Sequence, residues 1–128
     1  MHPVIIDTDI AIDYLRGIPY ARDLIDKLWD ANIAYLSVLS VYELCAGMKE
    51  KEKEVTDNFI KACKIELLTH EIAVKGGELY KLYRSKGFTF TSIDCLIAAT
   101  AILNGYKIAT RNIDHYPDKK ILLKLREI

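Results

Sequence analysis

Glutamine is absent from this 128-residue chain, and proline and cysteine occur three times each. Three prolines against 51% apolar residues do not make a disordered or low-complexity polymer. Cys45, Cys63 and Cys95 are odd in number and contain no C-x-x-C pair, which argues against a disulfide framework and a zinc knuckle and fits a reducing cytoplasm. No apolar run approaches the ~20 residues of a membrane span, and the first residues lack the basic region and long apolar stretch of a signal peptide. Neither charge sign is in excess: 18 basic residues balance 18 acidic ones, so bulk charge indicates neither a nucleic-acid coat nor a membrane surface.

What is present is enough apolar sequence for one core. A length of 128 residues suits a single domain spanning residues 1–128. Val4-Ile5-Ile6 is a β-branched run ending at Asp7, the pattern of a buried strand that delivers a carboxylate at its C-terminal end. A helix is expected over 9–16, stopped by Gly17, and another over 20–31 with Pro19 at its start. A second strand over 33–38 precedes a helix begun by Ser40, which places Glu43 in its first turn at capping-box spacing.

The charge run 49–54 reads as a solvated surface, followed by a helix over 55–63 and a third strand over 65–68. Thr69 is suited to cap a helix reaching Ser85, although Gly76-Gly77 weakens it. Thr91 or Ser92 begins an apolar helix over 93–104 with Asp94 in its first turn and Gly105 at its end. A fourth strand over 106–110 leads into a polar loop over 111–118 and a last apolar stretch over 121–125. Strands alternating with helices predict an α/β domain: a mostly parallel sheet of about four or five strands with helices on both faces, in three layers.

In such sheets ligands bind beyond the carboxyl ends of the strands. Asp7 and the 110–114 segment end predicted strands, whereas Glu43 and Asp94 open predicted helices, so the four places converge on that edge. Carboxylates about 4 Å apart repel by roughly 4 kcal/mol per pair at an effective dielectric of about 20, a cost that a divalent cation removes. All-oxygen ligation favours Mg2+ or Mn2+, ions able to activate water and stabilise charge on a phosphodiester. Glu43 and Asp94 also fit a simpler role, offsetting the positive ends of their helices. Asp9 fits a ligand, a helix cap or an acceptor for a neighbouring donor, and its position does not choose among them. An acidic centre needs cations at its rim to hold a phosphodiester chain, and Arg16, Arg84, Lys86 and Arg111 are the candidates.

Four segments in order carry a family resemblance over nearly the whole chain: Val4-Ile5-Ile6-Asp7-Thr8-Asp9; Ser40-Val41-Tyr42-Glu43-Leu44 with Gly47; the segment 92–101 around Asp94; and Ile108-Ala109-Thr110-Arg111-Asn112-Ile113-Asp114-His115-Tyr116. Together they resemble the PIN-domain family, in particular the VapC-type toxins of prokaryotic toxin–antitoxin pairs. The resemblance implies a Mg2+- or Mn2+-dependent endoribonuclease with metal ligands at Asp7, Glu43 and Asp94 and a fourth carboxylate in the last motif. Where the family often has aspartate this chain has Asn112, leaving Asp114 as an alternative; Thr110 is the matching hydroxyl, and Asp9 stands where asparagine is common. A homodimer, an RNA substrate and an inhibitory antitoxin are implied as well. Two competing expectations remain open: a HAD-like phosphohydrolase using Asp7 as nucleophile, suggested by Asp7-Thr8-Asp9, and a catalytically silent PIN-like binding module, suggested by Asn112.

Overall fold

Val4–Ile6 forms strand β1, an interior strand of the sheet that is covered by helices on both faces and buried at every position. Strands β2 (Ala34–Ser37), β3 (Lys64–Glu66) and β4 (Lys107–Ala109) complete a four-stranded sheet in the order β3-β2-β1-β4, with every pairing parallel. This computed structural model describes residues 2–125. Six helices, α1 (Thr8–Leu15), α2 (Pro19–Asp30), α3 (Val38–Gly47), α4 (Lys53–Ala62), α5 (His70–Ser85) and α6 (Ser92–Asn104), flank the sheet among the described residues.

The two-residue period of the strands divides the core. Val4, Ile6, Ala34, Leu36 and Ala109 pack with Ile10, Ile25, Leu44 and Phe59, which come from α1 to α4. On the opposite face Ile5 and Ile108 pack with Ile72, Leu79, Cys95 and Ile97, from α5 and α6. The expected three layers are therefore present, with four parallel strands at the centre. Both neighbours of β1 lie next to it although their sequence positions are far apart, so the chain leaves β1 in one direction for β2 and reaches β4 on the other side. Such a reversal opens a crevice at the carboxyl ends of the central strands, where Asp7 and Thr110 follow β1 and β4. The two ends are tied directly, the Asp7 N–H donating to the Ala109 carbonyl at 2.9 Å.

Most boundaries fall within a residue or two of expectation, and the start of α3 and the end of β3 matter most for the site and the sheet edge. Helix α3 starts at Val38 rather than Ser40, because Ser37 caps it by accepting from the Leu39 N–H at 3.1 Å. Glu43 is consequently in the middle of α3, not its first turn, and takes no part in a capping box. Strand β3 ends at Glu66, leaving Leu67 and Leu68 exposed beyond the edge. At α6 the capping box is formed by Thr91 and Asp94, which settles the choice between Thr91 and Ser92.

Helix α5 runs unbroken through Gly76-Gly77. The two glycines differ in surroundings: a Cβ on Gly76 would come within 2.8 Å of Leu96 Cδ2, whereas one on Gly77 meets nothing within 4 Å. Gly76 thus permits the close approach of α6, while Gly77 only weakens its helix. Gly77→Ala is expected to stabilise the protein by about 1 kcal/mol and Gly76→Ala to lose that gain to Leu96, as measured by urea unfolding.

Candidate active site

Asp7 ends β1 and also caps α1, its Oδ1 accepting from the Thr8 N–H at 2.9 Å. Oδ2 accepts from the Thr110 hydroxyl at 2.8 Å and from the Tyr116 hydroxyl at 3.1 Å. Only 8% of Asp7 is exposed. Burial, and then the charge of Asp9, push its carboxyl up to about 6, against the opposing pull of the hydrogen bonds from Thr110, Thr8 and Tyr116.

The other acids are arranged around it. Asp9 lies in the first turn of α1, and its Oδ2 accepts from the Arg111 N–H at 2.9 Å and is 3.3 Å from the Thr110 hydroxyl. Glu43 reaches the site from α3, its Oε1 accepting from the Thr8 hydroxyl at 2.7 Å; that hydroxyl is also 2.9 Å from Ser40 Oγ. Asp94 is 8% exposed in the first turn of α6; its N–H donates to Thr91 Oγ1 at 3.1 Å, and its Oδ2 accepts from the Thr91 N–H at 3.4 Å. His115 Nδ1 lies 3.6 Å from the same oxygen of Asp94.

One hydroxyl reports that these groups share a region. Tyr116 is fully buried, and its phenol is raised far above its ordinary value by burial and then by the charges of Asp7, Asp94 and Asp9. Asp7 accepts from this hydroxyl and the charges of Asp94 and Asp9 act on it, while Glu43 is tied to the residue after Asp7 through the Thr8 hydroxyl. Asp114 is exposed on the short 3-10 turn Ile113–His115 that follows β4, and Asn112 is exposed just before it, its N–H donating to Thr110 Oγ1 at 3.0 Å. Asp9, rather than Asp114, is thus the acid that shares Thr110 with Asp7.

The donor set suits a hard divalent cation, being all oxygen and negative, with burial making the charge of Asp7 costly in the absence of a counter-ion. Among the described residues no three His, Cys, Asp or Glu side chains would hold an ion by themselves. Mg2+ does not require such a cage, since it usually keeps several waters and takes only one or two carboxylates from the protein.

Residues 4–119 match the family description PIN domain. The chain belongs to the PIN domain family. It is 41% identical over 115 residues to Ribonuclease VapC19 of Mycobacterium tuberculosis, covering 88% of this chain and 91% of that protein. Ribonuclease VapC10 of the same organism is 33% identical over 115 residues, covering 89% of this chain and 86% of the relative. The fold is also that of the solved VapBC2 complex from Rickettsia felis bound to a promoter DNA fragment, with a TM-score of 0.84 at 22% identity over 94% of this chain and 96% of that one. DNA-bound VapBC from Salmonella typhimurium gives 0.83 at 18% identity over 95% and 96%.

In this PIN domain four groups near the site escaped the sequence reading. Thr8, Ser40 and Tyr116 belong to the quoted motifs, but spacing suggests only a helix cap for Ser40, which Ser37 provides instead, and no role for the other two; each acquires its role at the site only when a distant segment arrives beside it. The fourth is Asp13, one helical turn beyond Asp9 and only 3% exposed. It accepts from the Tyr20 hydroxyl and pairs with Arg111 Nε at 2.7 Å. Arg111 therefore fastens the segment carrying Thr110 and Tyr116 to α1 through both its side chain and its N–H. Arg111→Met should cost about 1 to 2 kcal/mol, less than a fully buried pair because the arginine side chain is half exposed. The check is thermal or urea unfolding, with Arg111→Lys expected to recover part of the loss.

The remaining basic candidates stand differently. Arg16 is exposed directly after α1 and borders a groove with Ile12, Leu15, Glu43 and Met48. Arg84 and Lys86, at the end of α5, lie over the rings of Tyr80 and Tyr83 at 5.3 and 5.8 Å. No helix among the described residues is long and apolar enough to cross a membrane.

Proposed function

We propose that this PIN domain is a Mg2+- or Mn2+-dependent endoribonuclease and the toxin of a VapBC-type toxin–antitoxin pair. The observation that carries the reading is that Asp7 and Asp9 share the Thr110 hydroxyl beyond the carboxyl ends of the strands, with Glu43 bound in through Thr8 and the charge of Asp94 acting on the Tyr116 hydroxyl that Asp7 accepts from. Asp7 and Asp94 would hold the ion, with Glu43 beside them; Asp9 is better placed than Asp114 for the fourth acidic position. When bound, such an ion makes water a usable nucleophile near neutral pH and stabilises the charge that builds on a phosphodiester. The protein's own part is positional. Thr110 and the Thr8 N–H hold the Asp7 carboxylate, the Thr91 capping box holds Asp94, and Thr8 and Ser40 hold Glu43.

RNA must approach this negative centre along cations, and the candidates are Arg16, which follows α1 and borders the groove that includes Glu43, and Arg111, on the loop after β4. Arg84 and Lys86 are reserved for more distant phosphates. An antitoxin segment is supported by the groove lined by Ile12, Leu15, Leu44, Met48 and Val55, which runs to Glu43 and so leads a basic side chain toward the acids. Association as a homodimer is supported by Val74 and Leu82 on α5 and Ile102 and Leu103 on α6, all left exposed.

Incubating antitoxin-free protein with structured RNA in Mg2+, Mn2+ or chelator, and sequencing the product ends, tests the proposal. Discrete internal cuts that need the metal are expected. Intact RNA under all three conditions, or cutting undiminished by chelator, overturns it.

A further inference from the structure

Tyr116 is a costly residue for its position. Its ring is fixed in the core, edge-on to Phe90 with centroids 6.1 Å apart, and it is among the largest side chains with no exposure at all. A phenylalanine would fill that space without the penalty of removing a hydroxyl from water. The hydroxyl instead has a partner, Asp7 Oδ2, at 3.1 Å. The same oxygen accepts from Thr110 at 2.8 Å, and the other oxygen accepts from the Thr8 N–H at 2.9 Å.

We propose that Tyr116 is a positioning residue for metal binding: its buried hydroxyl, together with Thr110, fixes the Asp7 carboxylate in the orientation that receives a divalent cation. The inference rests on the reading of Asp7 as a metal ligand. A carboxylate has roughly four acceptor sites, and three donors here occupy three of them, leaving Asp7 with one direction in which to offer an electron pair. Two of those donors stand at opposite ends of the 110–116 segment, so that segment closes on Asp7 like a bracket. It is in turn anchored to α1 by Arg111, through Asp13 and Asp9. Partners of this kind, outside the ligand set but bonded to it, commonly govern ion affinity by 10- to 100-fold.

Chelator-treated full-length protein, titrated with Mn2+ in the absence of RNA and followed by electron paramagnetic resonance, separates positioning from packing. Tyr116→Phe should weaken Mn2+ binding about tenfold while keeping the ring and the wild-type far-ultraviolet circular dichroism. Tyr106→Phe is the control: it also deletes a hydroxyl bonded to a carboxylate, that of Glu66, but at the opposite end of β4, and should leave Mn2+ affinity within about twofold. For a variant of lowered stability, the rise in melting temperature on adding Mn2+ reads the same difference. Should Tyr116→Phe bind Mn2+ as wild type does while Asp7→Asn loses it, Tyr116 merely fills the core and the metal reading survives. Equal Mn2+ binding by wild type and Asp7→Asn, or none by wild type, removes the metal reading and this inference with it.

Discussion

Asp94→Asn is expected to abolish the proposed RNA cleavage, with a fall of about a hundredfold or more in kcat/KM and a change in stability within about 1 kcal/mol. The two effects separate because Asp94 has two jobs. Its backbone N–H bonds to Thr91 Oγ1, and its side chain accepts from the Thr91 N–H to close the capping box at the start of α6. Asparagine retains an oxygen for that box, so the helix keeps its cap. The amide does not retain the charge, and it is charge that holds a hard cation. Cleavage assays and thermal melts on the same preparation check both halves. Undiminished cleavage by the variant would remove Asp94 from the site.

Asp7→Asn is expected to give an inactive protein that is more stable than wild type at neutral pH when metal is absent. Burial and the nearby charge of Asp9 move the Asp7 carboxyl from an ordinary 3.8 to about 6. A folded-state value above the unfolded one means that the protonated form is favoured by folding. The stabilisation is complete below about pH 3.8 and is lost as pH rises through about 6. The displacement from 3.8 to about 6 corresponds to about 3 kcal/mol at full ionisation. Asparagine cannot ionise, so the stability of the variant relative to wild type should rise by about that amount between roughly pH 4 and pH 7.5. The absolute gain at neutral pH is smaller, about 2 kcal/mol, because an amide cannot accept all three hydrogen bonds that Asp7 accepts. Denaturant unfolding of chelator-treated proteins across this range measures it; parallel pH profiles would show that burial of Asp7 carries no such cost.

The same energetics explain how an active site persists in a folded domain. The carboxylates destabilise the metal-free chain, and the two-faced core of aliphatic residues around β1 offsets them. Activity and stability are then expected to trade at Asp7 but not at Gly77, which lies open to solvent on α5.

Much of this fold was legible because its signals are local. A β-branched run marked β1, Gly105 in the left-handed region ended α6, and the alternation of strand and helix implied parallel pairing. The family motifs were legible for the same reason, and the PIN domain match bears that resemblance out. Boundaries decided by competing caps were not. Ser37 and Ser40 are chemically alike, and only tertiary placement makes the first a cap and sends the second, fully buried, to Thr8. The contributions of Asp13 and Tyr116 were out of reach of any spacing rule. Asp13 meets Arg111 across nearly the whole length of the chain, and Tyr116 reaches Asp7 across 109 positions because β1 and β4 are neighbours. The HAD-like alternative rested on Asp7-Thr8-Asp9 alone, a local signal that the full-length family match outweighs.

The central claim is that separate segments bring negative oxygens together closely enough to share a cation. Melting of chelator-treated protein with increasing Mg2+, at about pH 7.5, addresses it directly for wild type, Asp7→Asn and Asp94→Asn. A saturable rise in Tm for wild type that is lost in both variants is the predicted result. An identical response to Mg2+ in all three proteins would contradict it.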